Sequence, residues 1–170
     1  MKLDLHTHCY EATMYARPSV EVVRRIVDRV KDKGLDGIGI TDHDGKEYAY
    51  QVLRIYEQHF DHDIVLIPGQ EVKQGPLDVV ELCLPEGCTF RFLAHPPSYS
   101  YRWEEHLDGL HGVEVENGNW ALDRERVQAA ADRYGLMLLR NSDAHSLWDI
   151  GRYHNEVTLE ELCACVGRQG

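Results

Sequence analysis

The chain has 170 residues and a formal net charge of −11 at pH 7. This length predicts one domain with a sizeable hydrophobic core, and we expect residues 1–170 to form it. Hydrophobic residues make up 43% of the chain, which excludes an intrinsically disordered protein. No apolar run approaches the ~20 residues of a membrane-spanning helix. The acidic charge disfavours a long nucleic-acid contact surface, which needs a basic stripe.

The cysteines and the amino terminus bear on the cellular compartment. The five cysteines form no CxxC pair and no zinc-finger spacing, so we expect free thiols. The first predicted strand begins at residue 2 and leaves no room for a signal peptide. We therefore expect a cytoplasmic protein that does not bind a membrane. The sequence carries no signal for its oligomeric state.

The first half of the chain alternates extended and helical patterns. MKLDLHTH predicts a short strand, and SVEVVRRIVDRVKDKG predicts a helix that is capped by Ser19 and ends at Gly34. DGIGITDHD is a short apolar run that stops at Asp42 and His43, and KEYAYQVLRIYEQHF has the spacing of a helix.

The second half continues the same rhythm. IVLIPGQEV predicts a buried strand that ends near Glu71, and LDVVELCLP can pair with it as a hairpin. FRFLAHPP and GVEVENGN predict two further strands. ALDRERVQAAADRYG predicts a helix closed by Gly135, and LMLLRNSDAHS a strand after it. GRYHNEVTLEELCACVG predicts a last short strand and a terminal helix.

This alternation predicts α/β architecture with a mostly parallel sheet. Functional residues of parallel sheets lie at the carboxyl ends of the strands. Polar side chains of two kinds lie where strand-like runs end in this chain. They are five of the ten histidines, His6, His8, His43, His95 and His145, and three carboxylates, Asp42, Glu71 and Asp143.

So many ionisable groups around one rim are costly to bury unless something compensates their charge. Divalent metals do so, and imidazole with carboxylate suits zinc, manganese and iron. More than four nitrogen and oxygen ligands indicate more than one ion. A bridging carboxylate such as Glu71 would serve two ions at the spacing of about 3.5–4 Å that two-metal phosphatases and nucleases use.

Five motifs in this order resemble those of the PHP (polymerase and histidinol phosphatase) family. They are DLHTH, ITDHD, PGQEV, AHP and NSDAH, and the similarity continues through IGRYHNEV into the terminal helix. The HxH pair alone is weak evidence, whereas the ordered set is specific and covers almost the whole chain.

The resemblance implies an α/β fold, a distorted (β/α)7 TIM-like barrel of the PHP type, with two or three divalent metal ions (manganese, zinc or iron). It implies three groups of ligands. The first metal would be held by His6, His8, Glu71 and Asp143, the second by Glu71 and His95, and the third by His43 and His145. Asp42 would support a neighbouring histidine without binding metal.

Two positions depart from the family pattern. A histidine is often found about seven residues after the glutamate, and Asp78 occupies that place here. Asp78 is therefore a candidate ligand of the second metal, or else an exposed hairpin residue. The acid or histidine usual after the first motif is replaced by Thr13 or Met14, so Glu11 is the nearest candidate for the third metal.

The expected activity is hydrolysis of a phosphoester in a small phosphorylated metabolite or nucleotide by a hydroxide that bridges two metals. Asp143 and His145 are the predicted catalytic residues, and His145 could protonate the leaving group if it holds no metal. Arg17, Arg102 and Asn117 are candidates for binding the substrate, although each of the two arginines could be an ordinary surface residue.

Two alternatives remain open from the sequence. One is a nuclease that acts on nucleotide ends, since some PHP relatives are exonucleases or proofreading domains. The other is a non-catalytic metal-binding PHP module that serves as a scaffold in a larger protein.

Overall fold

The computed structural model describes residues 1–43, 45–98 and 102–167. Within these ranges the chain forms eight strands and five helices. The strands are β1 (Lys2–Thr7), β2 (Gly37–Ile40), β3 (Val65–Gln74), β4 (Leu77–Cys83), β5 (Thr89–Leu93), β6 (Gly112–Asn117), β7 (Met137–Asn141) and β8 (Asn155–Glu156). The helices are α1 (Cys9–Ala12), α2 (Val20–Asp32), α3 (Glu47–His59), α4 (Arg124–Tyr134) and α5 (Leu159–Val166).

The eight strands form one sheet in the order β7-β6-β5-β4-β3-β2-β1-β8. β1, β2 and β3 are parallel neighbours, as are β5, β6 and β7. β4 is antiparallel to β3 and β5, which confirms the hairpin predicted there. The expected α/β barrel class is confirmed. The sheet has eight strands because the two-residue β8 adds antiparallel to β1.

Side chains join the two ends of this sheet. Asn155 of β8 donates from its amide to the carbonyl oxygens of Leu3 in β1 and Arg140 in β7. Asn141 of β7 accepts a hydrogen bond from the backbone nitrogen of Leu5. These contacts nearly close the barrel and place the end of β7 beside the end of β1.

Local signals in the sequence account for the helix boundaries. Ser19 caps α2 by accepting from the backbone nitrogen of Val22, and the α2 side chains at helical spacing are buried. α4 ends at Gly135, whose φ of 68° is a left-handed conformation that glycine adopts without strain. α5 begins with a capping box between Thr158 and Glu161. The predicted caps of α2 and α4 are therefore confirmed.

Three groups of buried apolar side chains hold the elements together. One joins α2 and α3 to β2. A second joins β1, β4 and β5 to α5, and the third packs α4 against β6. None of the described helices is long and apolar enough to cross a membrane.

Candidate metal centre

The predicted ligands converge at the carboxyl ends of the strands. His6 is the next-to-last residue of β1, and His8 follows that strand directly. A backbone bridge between His43 and Glu71 joins the end of β2 to β3. His95 and Asp143 have positive φ angles of 27° and 51°. Such strained backbone is rare for non-glycine residues and is typical of functional sites.

His6, His8, Glu71 and Asp143 form what we call the inner group. The Nε2 atoms of His6 and His8 are 3.1 Å apart. Asp143 Oδ1 lies 3.5 Å from the first of these nitrogens and 3.1 Å from the second. Each nitrogen is 3.6 Å from an oxygen of Glu71. All four side chains are at least 96% buried.

The donor atoms of the inner group fit a metal ion. A tetrahedral ion with bonds of about 2.0–2.1 Å places its ligand atoms about 3.3–3.4 Å apart. The distances within the inner group, 3.1–3.6 Å, bracket this value. A cation held between the two histidine nitrogens would also offset the negative charges of Glu71 and Asp143. The residues present therefore fit the ions that the PHP resemblance implies.

His43, His145 and Glu11 form the outer group. The Nε2 atom of His43 is 3.7 Å from Glu11 Oε1, and that of His145 is 3.7 Å from Glu11 Oε2. Both imidazoles stack on His8 at centroid distances of 4.3 and 4.2 Å. The structure thus brings Glu11, proposed from the sequence as a substitute ligand, between the two histidines.

Glu71, a member of the inner group, also contacts His43 of the outer group and His95 of a third set of candidate ligands. Its Oε2 atom is 2.9 Å from His43 Nδ1, and its Oε1 atom is 3.0 Å from His95 Nε2. Because each oxygen faces a different histidine, this carboxylate has the placement that a bridging ligand requires.

Asp78, the other substitute ligand, lies near His95 but has a competing partner. Its Oδ2 atom is 4.0 Å from His95 Nδ1, and together with Glu71 these side chains could hold an ion. The ammonium of Lys73 binds both Asp78 oxygens, at 2.6 and 2.8 Å. The sequence analysis missed Lys73, because a lysine two residues after a predicted ligand carries no signal of its own.

Glu114 is a second residue that the sequence analysis missed. It is fully buried and accepts hydrogen bonds from His6 Nδ1 at 2.9 Å and from Asn141 at 2.9 Å. It also accepts from Asn117 and from the backbone nitrogen of His95. Because His6 donates through Nδ1, its Nε2 keeps a lone pair that faces the inner group.

Asp42 does not act as expected. We predicted that it orients a histidine, but its Oδ1 atom accepts from the backbone nitrogen of Tyr10, and its Oδ2 atom has no hydrogen-bond partner among the residues that the structure describes. Burial raises the pKa of Asp42 to about 7. Its role in the structure is to fix the start of α1, which carries Glu11.

The three candidates for substrate binding do not belong to the inner or the outer group. Asn117 is buried, donates to Glu114 and accepts from the backbone of Asn119. Arg102 pairs with Glu105, and Arg17 is exposed. None of the three is among the described residues that line the cleft above the metal ligands. Their roles stay predictions, and the contacts of Asn117 favour a structural one.

Burial and the neighbouring imidazoles shift the pKa values of the two inner-group carboxylates in opposite directions. Burial alone would raise the pKa of Glu71, but the neighbouring imidazoles of His6 and His95 hold that pKa well below its usual range. The same balance, with His8 as the main partner, lowers the pKa of Asp143 to about 2. Both carboxylates are therefore ionised at neutral pH, as metal binding requires.

A cleft of about 410 Å³ lies above the cluster and opens to solvent. Its walls include His43, His145, His95 and Trp120. Lys73 also lines it and places a cation in an otherwise acidic protein. The size is sufficient for a small molecule.

The chain is similar to known proteins in its carboxy-terminal part and in its fold. A model of the PHP-associated family, PHP_C, matches residues 121–166. No curated protein sequence matches significantly.

Solved structures from three bacteria share the fold at 14–17% sequence identity. A protein from Bifidobacterium adolescentis assigned as a metal-dependent phosphoesterase is 14% identical, with a TM-score of 0.72 over 96% of both chains. PsfC from Pseudomonas syringae is 16% identical, with a TM-score of 0.67 over 96% of this chain and 87% of its own. A sulfate-bound, metal-free amidohydrolase from Chromobacterium violaceum is 17% identical, with a TM-score of 0.66 over 97% of both chains.

Proposed function

We propose that this chain, a PHP-type protein by its ordered motifs, its barrel and its match to the PHP-associated model, is a metal-dependent phosphoesterase. One observation carries the proposal. Donor atoms of the inner group lie 3.1–3.6 Å apart, and Glu71 extends from that group to His43 and His95. A shared carboxylate between sets of ligands is the arrangement of two-metal hydrolases.

Divalent ions in such a site supply a water molecule of lowered pKa and positive charge for the oxygens of a phosphoryl group. The inner group would hold the first ion through His6, His8, Glu71 and Asp143. The outer group, with Glu71, would hold another. His95 and Asp78 would provide ligands to a third position, where the Lys73 ammonium competes for Asp78.

His145 would move a proton at the open side of the cleft. Its Nδ1 atom is 2.8 Å from the carbonyl oxygen of Asp143, which can only accept, so Nδ1 carries the hydrogen. The Nε2 atom therefore faces the outer group, where it can bind an ion or, when protonated, donate to a leaving alkoxide. Its half-exposed position allows the proton to be replaced from solvent.

The substrate would be a small phosphorylated molecule. The cleft measures about 410 Å³, which suits a small ligand. The net charge of −11 opposes the approach of a long polyanion. A nuclease limited to nucleotide ends remains the nearest alternative, since a terminal phosphate could enter the same cleft.

A substrate screen with defined metals tests the proposal. Purified protein is stripped of metal, reloaded separately with manganese, zinc or iron, and assayed on phosphate monoesters, diesters and amides. We expect two or more ions per chain by elemental analysis and turnover of a phosphoester. Amide hydrolysis alone would replace the proposal with amidohydrolase chemistry. Stable metal loading without turnover of any substrate would favour a non-catalytic module.

A further inference from the structure

Trp120 stands at the edge of the metal centre with most of its surface open. It is 59% exposed, although its indole ring lies against His95 with a centroid distance of 5.4 Å and an angle of 33°. Leaving so large an apolar side chain in water forgoes the gain of burial. An exposed aromatic residue beside a catalytic cleft is a common binding surface for a ligand.

The indole is held in place by the network beneath the cluster. The backbone nitrogens of Trp120 and Asn119 donate to Asn117 Oδ1 at 3.2 and 2.8 Å. Asn117 in turn donates to Glu114 Oε2 at 2.8 Å, and Glu114 binds His6. These contacts fix the backbone of Trp120 relative to the predicted ligands. Binding of a ring to the indole therefore costs little conformational entropy of the protein.

A second cavity continues from the metal cleft past Trp120. It measures about 330 Å³ and shares His95, Asp78, Lys73 and Trp120 with the cleft. Its remaining walls are largely apolar and include Pro76, Pro97, Ala121 and Leu122.

The charges at this cavity cancel locally. Lys73 and Asp78 are bonded to each other, so neither presents an unbalanced charge to the cavity. An apolar wall with a balanced charge pair suits an uncharged group, because a second anionic group would lose its hydration without a partner.

We propose that Trp120 and this cavity form a subsite for a planar, uncharged aromatic ring on the alcohol half of the substrate. The inference rests on the proposed phosphoesterase function. The phosphate lies over the metal ligands, and the ring stacks on the indole one cavity away. Nucleosides and simple aryl alcohols both carry such a ring, and the test separates them.

Two pairs of substrates isolate the ring while the leaving alcohol stays primary. Adenosine 5′-monophosphate and ribose 5-phosphate differ only in the base. Benzyl phosphate and cyclohexylmethyl phosphate differ only in aromaticity at similar size. In each pair we expect kcat/KM to favour the aromatic member at least about tenfold, as base–aromatic stacking does. A preference confined to the nucleotide pair identifies a nucleobase, and a preference in both identifies aromatic rings in general.

Variants of two exposed tryptophans assign the preference to the subsite. Trp120→Ala should bring both ratios close to one, and Trp120→Phe should retain most of each ratio. Using ratios removes any loss that both substrates share through His95. Trp148→Ala is the matched control, because Trp148 is 75% exposed but lies on Arg29 of α2 and does not line either cavity.

A binding measurement separates failure of this inference from failure of the proposed function. Adenosine should quench tryptophan fluorescence of the metal-loaded protein, and Trp120→Ala but not Trp148→Ala should abolish the quenching. Quenching without turnover of any phosphoester would support the subsite and overturn the function. Equal kcat/KM within both pairs, with no quenching, would overturn the subsite and leave the function standing.

Discussion

The inner and outer groups of the candidate metal centre are built from the same residue types in opposite surroundings. Side chains of the inner group are at most 4% exposed, whereas His43, His145 and Glu11 are 49%, 39% and 27% exposed. The inner group is also fixed by buried partners, since Glu114 binds His6 and Asp143 is held in a strained backbone conformation.

This difference in solvent exposure explains how neighbouring sites can bind ions with unequal affinity. Buried histidines and carboxylates cannot be solvated by water, so the inner group depends on a cation or on shared protons. The outer group can exchange its ligands for water at little cost. We therefore expect a tightly bound ion at the inner group and a weaker, exchangeable ion at the outer group.

Replacing the carboxylate that joins the two groups should have the largest effect. Glu71→Gln keeps the shape of the side chain but removes the charge, so at least one ion should be lost from each chain. We expect kcat to fall by at least about 10³-fold, the upper range for removing a single transition-state interaction. Metal content by elemental analysis and steady-state kinetics measure both effects.

Glu57→Gln provides the control, because Glu57 is an exposed residue of α3 with a carboxylate of the same type. It should leave metal content and kcat unchanged. If Glu71→Gln retained full activity with an unchanged metal count, the two-metal interpretation would be wrong, and the case for a phosphoesterase would lose its main support.

Removal of metal should separate the two groups by affinity. An ion at a concentration 1,000-fold above its Kd stabilises the native state by about 4 kcal/mol. For a chain of this length that corresponds to a fall in Tm of roughly 10 °C on chelation. A chelator titration can be followed by activity assays and by calorimetry. Activity should fall first, when the outer ion leaves, and the Tm should fall later, when the inner ion leaves. Simultaneous loss of both would contradict unequal affinities, and an unchanged Tm on metal-containing protein would contradict an inner ion.

Asp4 is a buried carboxylate outside the inner group, and its pKa can be compared with that of Asp143. It is fully buried like Asp143, but burial outweighs its hydrogen bonds from Ser142 and Gly151 and raises its pKa to about 6. Asp143 shifts the other way because imidazoles surround it. Burial therefore sets the direction of the pKa shift of Asp4, whereas the neighbouring imidazoles set that of Asp143.

This contrast predicts a pH-dependent stability difference between the wild type and Asp4→Asn. A folded-state pKa raised from 3.8 to about 6 contributes stability below pH 4, and that stability is lost as the pH rises through 6. Relative to Asp4→Asn, the wild type should therefore lose about 2 kcal/mol between pH 4 and pH 7. Denaturant unfolding of metal-free protein measures the difference. Asp108→Asn, at an exposed site, should show no such trend, and a flat difference for Asp4→Asn would show that its carboxyl is hydrated.

The sequence predicted which side chains meet at one rim, because strand geometry requires little information. Two histidines one residue apart in a strand must share a face, and parallel strands collect their carboxyl ends at one rim. Five histidines at predicted strand ends therefore indicated one site. The hairpin of β3 and β4 was equally readable, since a Gly-Pro turn separates two apolar runs.

Other features depended on register and on contacts between distant elements. Glu114 and Glu116 alternate alike in GVEVENGN, but a register shift between them in the pairing of β6 with β7 leaves only Glu114 fully buried under His6. The last short strand was predicted, but not that its Asn155 closes the barrel by binding the backbone of β1 and β7. Asn117 faced the expected rim but had its polar atoms taken by Glu114 and the backbone, which only the folded chain reveals.

The smallest expected effect concerns Asp78, where the comparison extends to the third set of ligands. Asp78 lies between a metal ligand, His95, and a cation, Lys73, and is less buried than the inner group. If it binds an ion in competition with Lys73, Asp78→Ala should lower kcat about tenfold, or about 1.4 kcal/mol, and weaken one ion in a metal titration. Lys73→Met should strengthen binding of that ion, because it removes the competing charge.

Asp108→Ala is the control and should stay within about 0.5 kcal/mol, as exposed substitutions do. An equally small effect of Asp78→Ala, with metal affinity unchanged in both variants, would make the Lys73–Asp78 pair a surface ion pair and leave the inner and outer groups as the whole metal centre.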